Sequence, residues 1–415
     1  MRLFFSILLI TFSLQTLTAQ IPGRYKKFVF DSIIIHKDIQ YGEADFYDAN
    51  SNHDLAPLYL DFYEPKGDNL SARPLVITIF GGAFIGGNKE WDDMRAWCDS
   101  LSRYGYTCAS IQYRLAFNAF NQESIIRASY RAVQDTRAAI RFLTENASTY
   151  RLDSNKIFLV GNSAGSITAL LTAFITKDSE RPPSTFGLPG TTTDMDDLGC
   201  LDCSGNDFVH GVKPAGIISL WGGMWDINWI EADEKVPSLL IHGTADGTVP
   251  YDTGYAFGVT LSPFVYGSVP IDREMTRLDI PHEFHPFDSL GHSFYMANGG
   301  VSEMNQYWKP VFTLGHEFLY KVVTNTFTSI QENIIDNEVN VYPNPATAGF
   351  IFLNCPDVAL SSLEVWMTNL QGMNIQTWEL APSMKKLDVS NIPRGVYILN
   401  VRADKKVIAK KIVVI

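Results

Sequence analysis

Ile157-Phe158-Leu159-Val160-Gly161-Asn162-Ser163-Ala164-Gly165-Ser166-Ile167-Thr168-Ala169-Leu170-Leu171 passes from a strand-type apolar run, through a glycine-flanked serine, into a helix-type run. This is the layout of a nucleophile elbow, in which a sharp strand-to-helix reversal holds a serine hydroxyl out toward substrate. Gly161 and Gly165 supply the lack of bulk that so strained a backbone needs. The backbone N–H of Ala164 falls at a helix N-terminus, aimed at a developing oxyanion. The pentapeptide alone is weak, since an ordinary glycine-rich turn has the same composition. Its weight depends on partners elsewhere in the chain.

Working outward, strand-type and helix-type runs alternate. Strands are expected at 75–80, 107–113, 157–160, 215–220 and 238–242, and a long amphipathic helix at 125–146. Such alternation predicts an α/β fold with a mainly parallel sheet covered on both faces by helices. Ahead of it, β-rich stretches at 32–39 and 58–63 read as an antiparallel pair, and the last helix is expected at 303–323. A stretch at 177–212, rich in Pro, Gly, Thr and Asp, reads as a loop insertion that shapes the pocket entrance.

Acyl transfer by serine needs a base, an acid that orients the base, and N–H donors for the oxyanion. Asp246 lies in HGTADGTVP directly after the apolar run Leu239-Leu240-Ile241, so its carboxylate emerges at the C-terminal edge of the sheet, where ligands of open α/β sheets bind. An Asx turn also suits Asp-Gly; Asp226 is the reserve acid. His292, in Leu290-Gly291-His292-Ser293-Phe294, occupies a turn after a β-type run at 282–287. His282 and His285 lie on that run itself and read as structural, while His242 sits at a strand end. After the strand at 75–80 comes Phe80-Gly81-Gly82-Ala83-Phe84, whose Gly82 and Ala83 are expected to supply oxyanion N–H groups together with Ala164.

The 415-residue chain carries a net charge of −12, which argues against a nucleic-acid surface and suits a neutral substrate. Met1-Arg2, an apolar run over 3–14 and Thr18-Ala19 match a secretory signal cleaved after Ala19, and the run is too short for a span of roughly 20 residues. Of the five cysteines, Cys98 and Cys108 read as buried thiols, and Cys355 lies far along the chain. Cys200 and Cys203 form the one Cys-x-x-C, suited to a local disulfide in an exported protein and short of a zinc ligand set. The expected domains are a signal peptide at 1–19, a catalytic domain at 20–324, a linker at 325–338 and a small β-sandwich at 339–415. Trp225 and Phe84 are expected to flank the substrate, although core packing is the commoner fate of such residues.

Between about residues 30 and 323 the chain resembles the carboxylesterase and lipase branch of the α/β-hydrolase superfamily, including bacterial esterases related to hormone-sensitive lipase. The segments that carry this are LYLDFYEPKGD, FGGAFIGG, YGYTCASIQYRL, GNSAG, HGTADGTVP and LGHSFY. The resemblance implies a catalytic order Ser163, Asp246, His292 and an acyl-enzyme route to ester hydrolysis, with no cofactor. Members commonly carry histidine where this chain has Phe80. Acetyl or feruloyl esters of polysaccharides and short-chain esters all fit as substrates; a serine peptidase of the same fold and a non-catalytic surface binding or adhesion module are the alternatives.

From about 339 to 415 the chain looks like the C-terminal sorting domain of the type IX secretion system of Bacteroidetes, on VYPNPATAG, LDVSNIPRGVYILNV and the closing KKIVVI. That resemblance implies the outer-membrane secretion machinery as a partner and a secreted or cell-surface location.

Overall fold

The computed structural model describes residues 21–47, 53–115, 121–187, 196–296, 304–327, 340–346, 349–354, 363–369, 372–380, 386–403 and 406–415. The expected signal peptide, Cys355 and most of the expected linker lie outside these residues.

In chain order the first unit contains β1 (Ile33–Tyr47), β2 (His53–Pro65), β3 (Arg73–Ile79), α1 (Asp92–Tyr104), β4 (Thr107–Ile111), α2 (Gln122–Glu145), α3 (Ala147–Tyr150), β5 (Leu152–Asn162) and α4 (Ala164–Phe174). Then follow β6 (Gly216–Leu220), β7 (Ser238–Gly243), the hairpin β8 (Thr253–Tyr255) and β9 (Phe264–Tyr266), α5 (Ser268–Arg277), β10 (His282–Phe287) and α6 (Trp308–Val323). Eight strands form one sheet in the order β1-β2-β4-β3-β5-β6-β7-β10. Strands β1, β2 and β4 pair antiparallel, and from β4 to β10 every pairing is parallel. This is the α/β-hydrolase arrangement.

Parallel strands are covered on both faces, so they read as unbroken apolar runs rather than alternating ones. Accordingly β3, β4, β6 and β7 are buried at every position. Helices α2 and α4 contact each other, and α4 also contacts β3, β5 and β6. Trp97 of α1 packs edge-on against Trp308 and tilted against Phe312 of α6, while Gly315 of α6 leaves room for that Trp97 ring and for Ile218 of β6. A Cβ at Gly315 would stand 2.4 Å from the indole. Each large apolar side chain so buried stabilises the fold by about 1.5–3 kcal/mol.

The first antiparallel pair is longer than its sequence pattern suggested. Register shifts between His36 and Ile39 and between Gln40 and Gly42 let the strands bend and continue to Tyr47, which breaks the simple alternation. The last helix begins at Trp308, five residues after the expected start. The insertion is fastened to α2: the Cys200–Cys203 disulfide closes a turn whose Asp202 pairs with Arg137 at 2.8 Å and Arg141 at 2.6 Å, and Gln134 donates to the carbonyls of Leu198 and Cys200. Cys98 and Cys108 are free and buried.

The second compact unit, 330–415, has two antiparallel sheets. One joins β11 (Asn340–Tyr342), β12 (Phe350–Asn354) and β15 (Lys386–Asp388); the other joins β14 (Asn374–Leu380), β13 (Leu363–Thr368), β16 (Gly395–Ala403) and β17 (Lys406–Val414). Ile351, Leu353 and Leu387 from the first meet Val365, Met367, Leu399 and Val401 from the second in one core. The period of two at 351/353, 365/367 and 399/401 is that of strands with one buried face. The unit is a small β-sandwich.

Candidate active site

Ser163 stands between the end of β5 and the start of α4 with φ 51° and ψ −121°, a left-handed conformation that costs a non-glycine residue energy and is tolerated when the surroundings over-determine it. Its own N–H donates to the carbonyl of Leu220 at the end of β6, and its carbonyl accepts from Ile167 in α4. The flanking glycines are required by close approach. A Cβ at Gly161 would lie 2.2 Å from the Gly165 carbonyl oxygen, and one at Gly165 would lie 2.0 Å from that of Ile79 in β3.

Strand β7 ends at Gly243, and the following loop carries Asp246; β10 ends at Phe287, and its loop carries His292. Backbone bonds lace the two loops together, from Thr244 N–H to Phe287 O and from Ala245 N–H to Leu290 O. A Cβ at Gly243 would meet the Leu290 carbonyl at 2.3 Å, so only glycine permits this closeness. His292 Nε2 then lies 2.8 Å from Ser163 Oγ, and His292 Nδ1 lies 2.7 Å from Asp246 Oδ2. The Asp246 side chain is wholly buried, that of His292 is 17% exposed, and Ser163 is half-buried. Ser163 and His292 are thus open toward solvent while Asp246 behind them is not.

Burial by itself would raise the Asp246 carboxyl, but hydrogen bonds from His242 and then from His292 outweigh it and hold the group well below the usual carboxylate range. Thr248 and Val249 N–H groups also donate to Oδ1. An ionised Asp246 fixes the His292 proton on Nδ1 and leaves Nε2 free to accept from the serine. The reserve acid Asp226 is used elsewhere, capping the short turn Ile227–Trp229 through a bond from Asn228 N–H.

The loop after β3 turns sharply, with positive φ at Gly82 (99°), Ala83 (55°) and Phe84 (62°). Ile85 and Gly86 N–H groups both donate to Gly82 O, which folds the loop back on itself. Among the described residues, none accepts from the N–H of Gly82 or Ala83, and Ala164 is the first residue of α4, where a helix leaves its N–H groups unpaired. Gly81 packs on Ser163 Cβ and the Asn162 side chain. Phe80, which takes the place of the histidine, stacks on Tyr113 at 4.3 Å, and the Tyr113 hydroxyl donates to the Phe80 carbonyl at 3.0 Å. Ring stacking and a phenol thus support the loop.

Phe84 is buried at 2% exposure with its ring edge-on to Tyr113, whereas the next residue, Ile85, is the exposed one. The left-handed turn rotates the aromatic inward, which a sequence pattern does not reveal. Trp225 is half-buried and donates its indole N–H to Ser129 Oγ at 2.8 Å.

Four further residues belong to the site and have no strong sequence signal. Trp221 is buried with its ring edge-on to His292. Tyr113 supports the loop after β3. Asp93, fully buried in the first turn of α1, accepts from Asn162 Nδ2 and, at 3.2 Å, from the Tyr295 hydroxyl; burial pushes its carboxyl up to about 7. It therefore joins the residue before Ser163 to the third residue after His292. His242 bonds to Asp246 from the far side; its spacing of four from the acid, across Gly243, was the available signal.

Residues 60–199 match the family model BD-FAE, and residues 340–415 match the secretion system C-terminal sorting domain. The chain is similar to a probable isoprenylcysteine alpha-carbonyl methylesterase of Arabidopsis thaliana, 27% identical over 49% of this chain and 44% of that protein. It is also similar to esterase LipI of Mycobacterium tuberculosis, 24% identical over 58% of this chain and 71% of that one. The chain thus spans less than half the length of the plant relative. Among solved structures it aligns with Thermogutta terrifontis esterase 2, at 20% identity and a TM-score of 0.45, over 69% of this chain and 95% of that one.

Proposed function

We propose, from the premise that this chain joins an α/β-hydrolase domain of the esterase type to a secretion-system sorting domain, that it is an exported serine carboxylic-ester hydrolase. The observation that carries this reading is the hydrogen-bonded line from Ser163 Oγ through His292 to Asp246. In this mechanism His292 Nε2 takes the hydroxyl proton as Ser163 attacks the ester carbonyl, and Asp246 stabilises the imidazolium that forms. The N–H groups of Gly82, Ala83 and Ala164 receive the oxyanion. His292 then passes its proton to the leaving alcohol, and a water, deprotonated by the same nitrogen, hydrolyses the acyl-Ser163.

The proposed catalytic domain covers 20–324, followed by a linker at 325–338 and the sorting domain from 339. Export and a cell-surface or secreted location follow from that tail. Trp225, which follows β6 at the sheet edge that carries the site, and Phe84 are proposed to flank the substrate. Acetyl or feruloyl polysaccharide esters and short-chain esters are the proposed substrate classes.

The test is labelling with a fluorophosphonate probe, followed by a panel of p-nitrophenyl, feruloyl, acetyl-xylan and peptide substrates. Labelling of native protein that Ser163→Ala abolishes, with turnover of at least one ester, is expected. A folded protein that takes no label, or one that cleaves only peptides, overturns the reading.

A further inference from the structure

We propose that His242 is a positioning residue for the acid: it donates its Nε2–H to the same Asp246 oxygen that receives the proton of His292, and so limits how strongly Asp246 holds the His292 imidazolium. This rests on reading Ser163, His292 and Asp246 as a hydrolytic triad.

The geometry places a hydrogen on Nε2 of the His242 ring. It is fully buried at the end of β7, with Nε2 3.2 Å from Asp246 Oδ2 and 3.1 Å from the carbonyl oxygen of Val249. A backbone carbonyl only accepts, so Nε2 carries a proton. On the other side Nδ1 lies 2.8 Å from the hydroxyl of Ser268, the buried first residue of α5, which can donate to it. A neutral ring with hydrogen on Nε2 satisfies every one of these contacts. The Tyr251 ring stands edge-on at 5.7 Å and closes the remaining side.

Asp246 is consequently saturated. Oδ1 takes two backbone N–H groups, from Thr248 and Val249, and Oδ2 takes two imidazole N–H groups, from His242 and His292. A carboxylate offers about four acceptor positions, and all are filled. Two donors on one oxygen divide its charge, so each bond is weaker than either would be alone. His242 also stops the carboxylate from rotating away from His292, since that rotation would leave its buried imidazole N–H with the Val249 carbonyl as its one acceptor. The other titratable groups around this pair are engaged or remote in kind. Asp272 of α5 is held by His282 of β10, Glu283 and His285 of β10 face each other, and Asp288 accepts from Thr244.

Removing the His242 donor leaves Asp246 Oδ2 more basic and strengthens its hold on protonated His292. The acid limb of kcat/KM reports the base in the free enzyme. It is expected to move to higher pH, by about 0.5–1 unit in His242→Leu and by less in His242→Gln, whose amide N–H can still donate. A merely structural histidine would lower the amount of active protein without moving that limb. An unmoved limb in folded His242→Leu, or one moved as far in His242→Gln as in His242→Leu, measured on full-length protein with p-nitrophenyl acetate, overturns the proposal.

A measurement on native protein keeps the question open to refutation if neither variant folds. In protein labelled with 15N-histidine and held at pH 8, His242 is expected to show hydrogen on Nε2 and a bare Nδ1. Hydrogen on Nδ1 with a bare Nε2 overturns it. Failure of the triad reading looks different, because native protein would then neither take the phosphonate probe nor hydrolyse the ester.

Discussion

His292 Nε2 lies 2.8 Å from Ser163 Oγ across a sequence separation of 129 residues, and the same ring reaches Asp246 at 2.7 Å. Three loops at one edge of the parallel sheet converge to make that contact, and each leaves the C-terminal end of a strand. The relationship makes the acid distinguishable from its neighbour by experiment.

Asp246→Asn is expected to lower kcat by about 10⁴-fold, because an amide cannot hold His292 in the tautomer that accepts from serine. Asp226→Asn, at a carboxylate engaged with Asn228, is expected to leave kcat within about twofold, a surface-type change. Steady-state kinetics and the rate of phosphonate labelling check both. Equal losses in the two variants would remove Asp246 from its role.

Gly82 has φ 99°, and a Cβ there would stand 2.1 Å from the Gly86 carbonyl oxygen. Gly82→Ala is therefore expected to displace the turn that presents the oxyanion donors, with a loss of about 10²-fold in kcat and a smaller change in KM. Gly86→Ala meets nothing within 4 Å and serves as the control. Similar kinetics for the two variants would place the oxyanion donors elsewhere.

Asp93 gives a stability prediction with a definite sign. Its carboxyl is raised from 3.8 to about 7 by burial, so the folded protein keeps a proton that the unfolded chain releases. Between about pH 4 and about pH 7 stability falls as pH rises, by a few kcal/mol in total, and is level above. Asp93→Asn, which remains neutral, is expected to flatten that slope. Denaturant unfolding at pH 5 and pH 8 measures it, and an unchanged slope in the variant would show that Asp93 is not the group that titrates.

Asp202 pairs with both Arg137 and Arg141, two buried guanidinium groups of α2. Asp202→Ala leaves them without that carboxylate and is expected to lower Tm by several degrees while leaving kcat within about twofold. Thermal unfolding and ester turnover on the same samples separate the two effects. A large loss of kcat at unchanged Tm would tie the insertion to catalysis rather than to stability.

The parallel sheet was legible in the chain because strands buried on both faces must be apolar along their whole length, as β3, β6 and β7 are. Ser163 was legible because its elbow demands small residues at fixed offsets, and Asp246 and His292 because they follow strands in the required order. Setting aside the reserve acid Asp226 needed coordinates, which show its carboxylate capping the turn Ile227–Trp229. Phe84 shows the limit most plainly, since one left-handed turn at Gly82-Ala83-Phe84 sends the ring inward and leaves Ile85 exposed.

The sequence alone thus determined the layering of the sheet, the strained serine and the order of its partners, because these depend on local backbone chemistry and apolar period. Tertiary structure alone decided which polar groups meet behind the serine. Asp93 reaches the site through space, Trp221 enters as the ring beside His292, and the charge state of each carboxyl follows from its burial and from the donors that meet it, His242 and His292 at Asp246 and Asn162 and Tyr295 at Asp93.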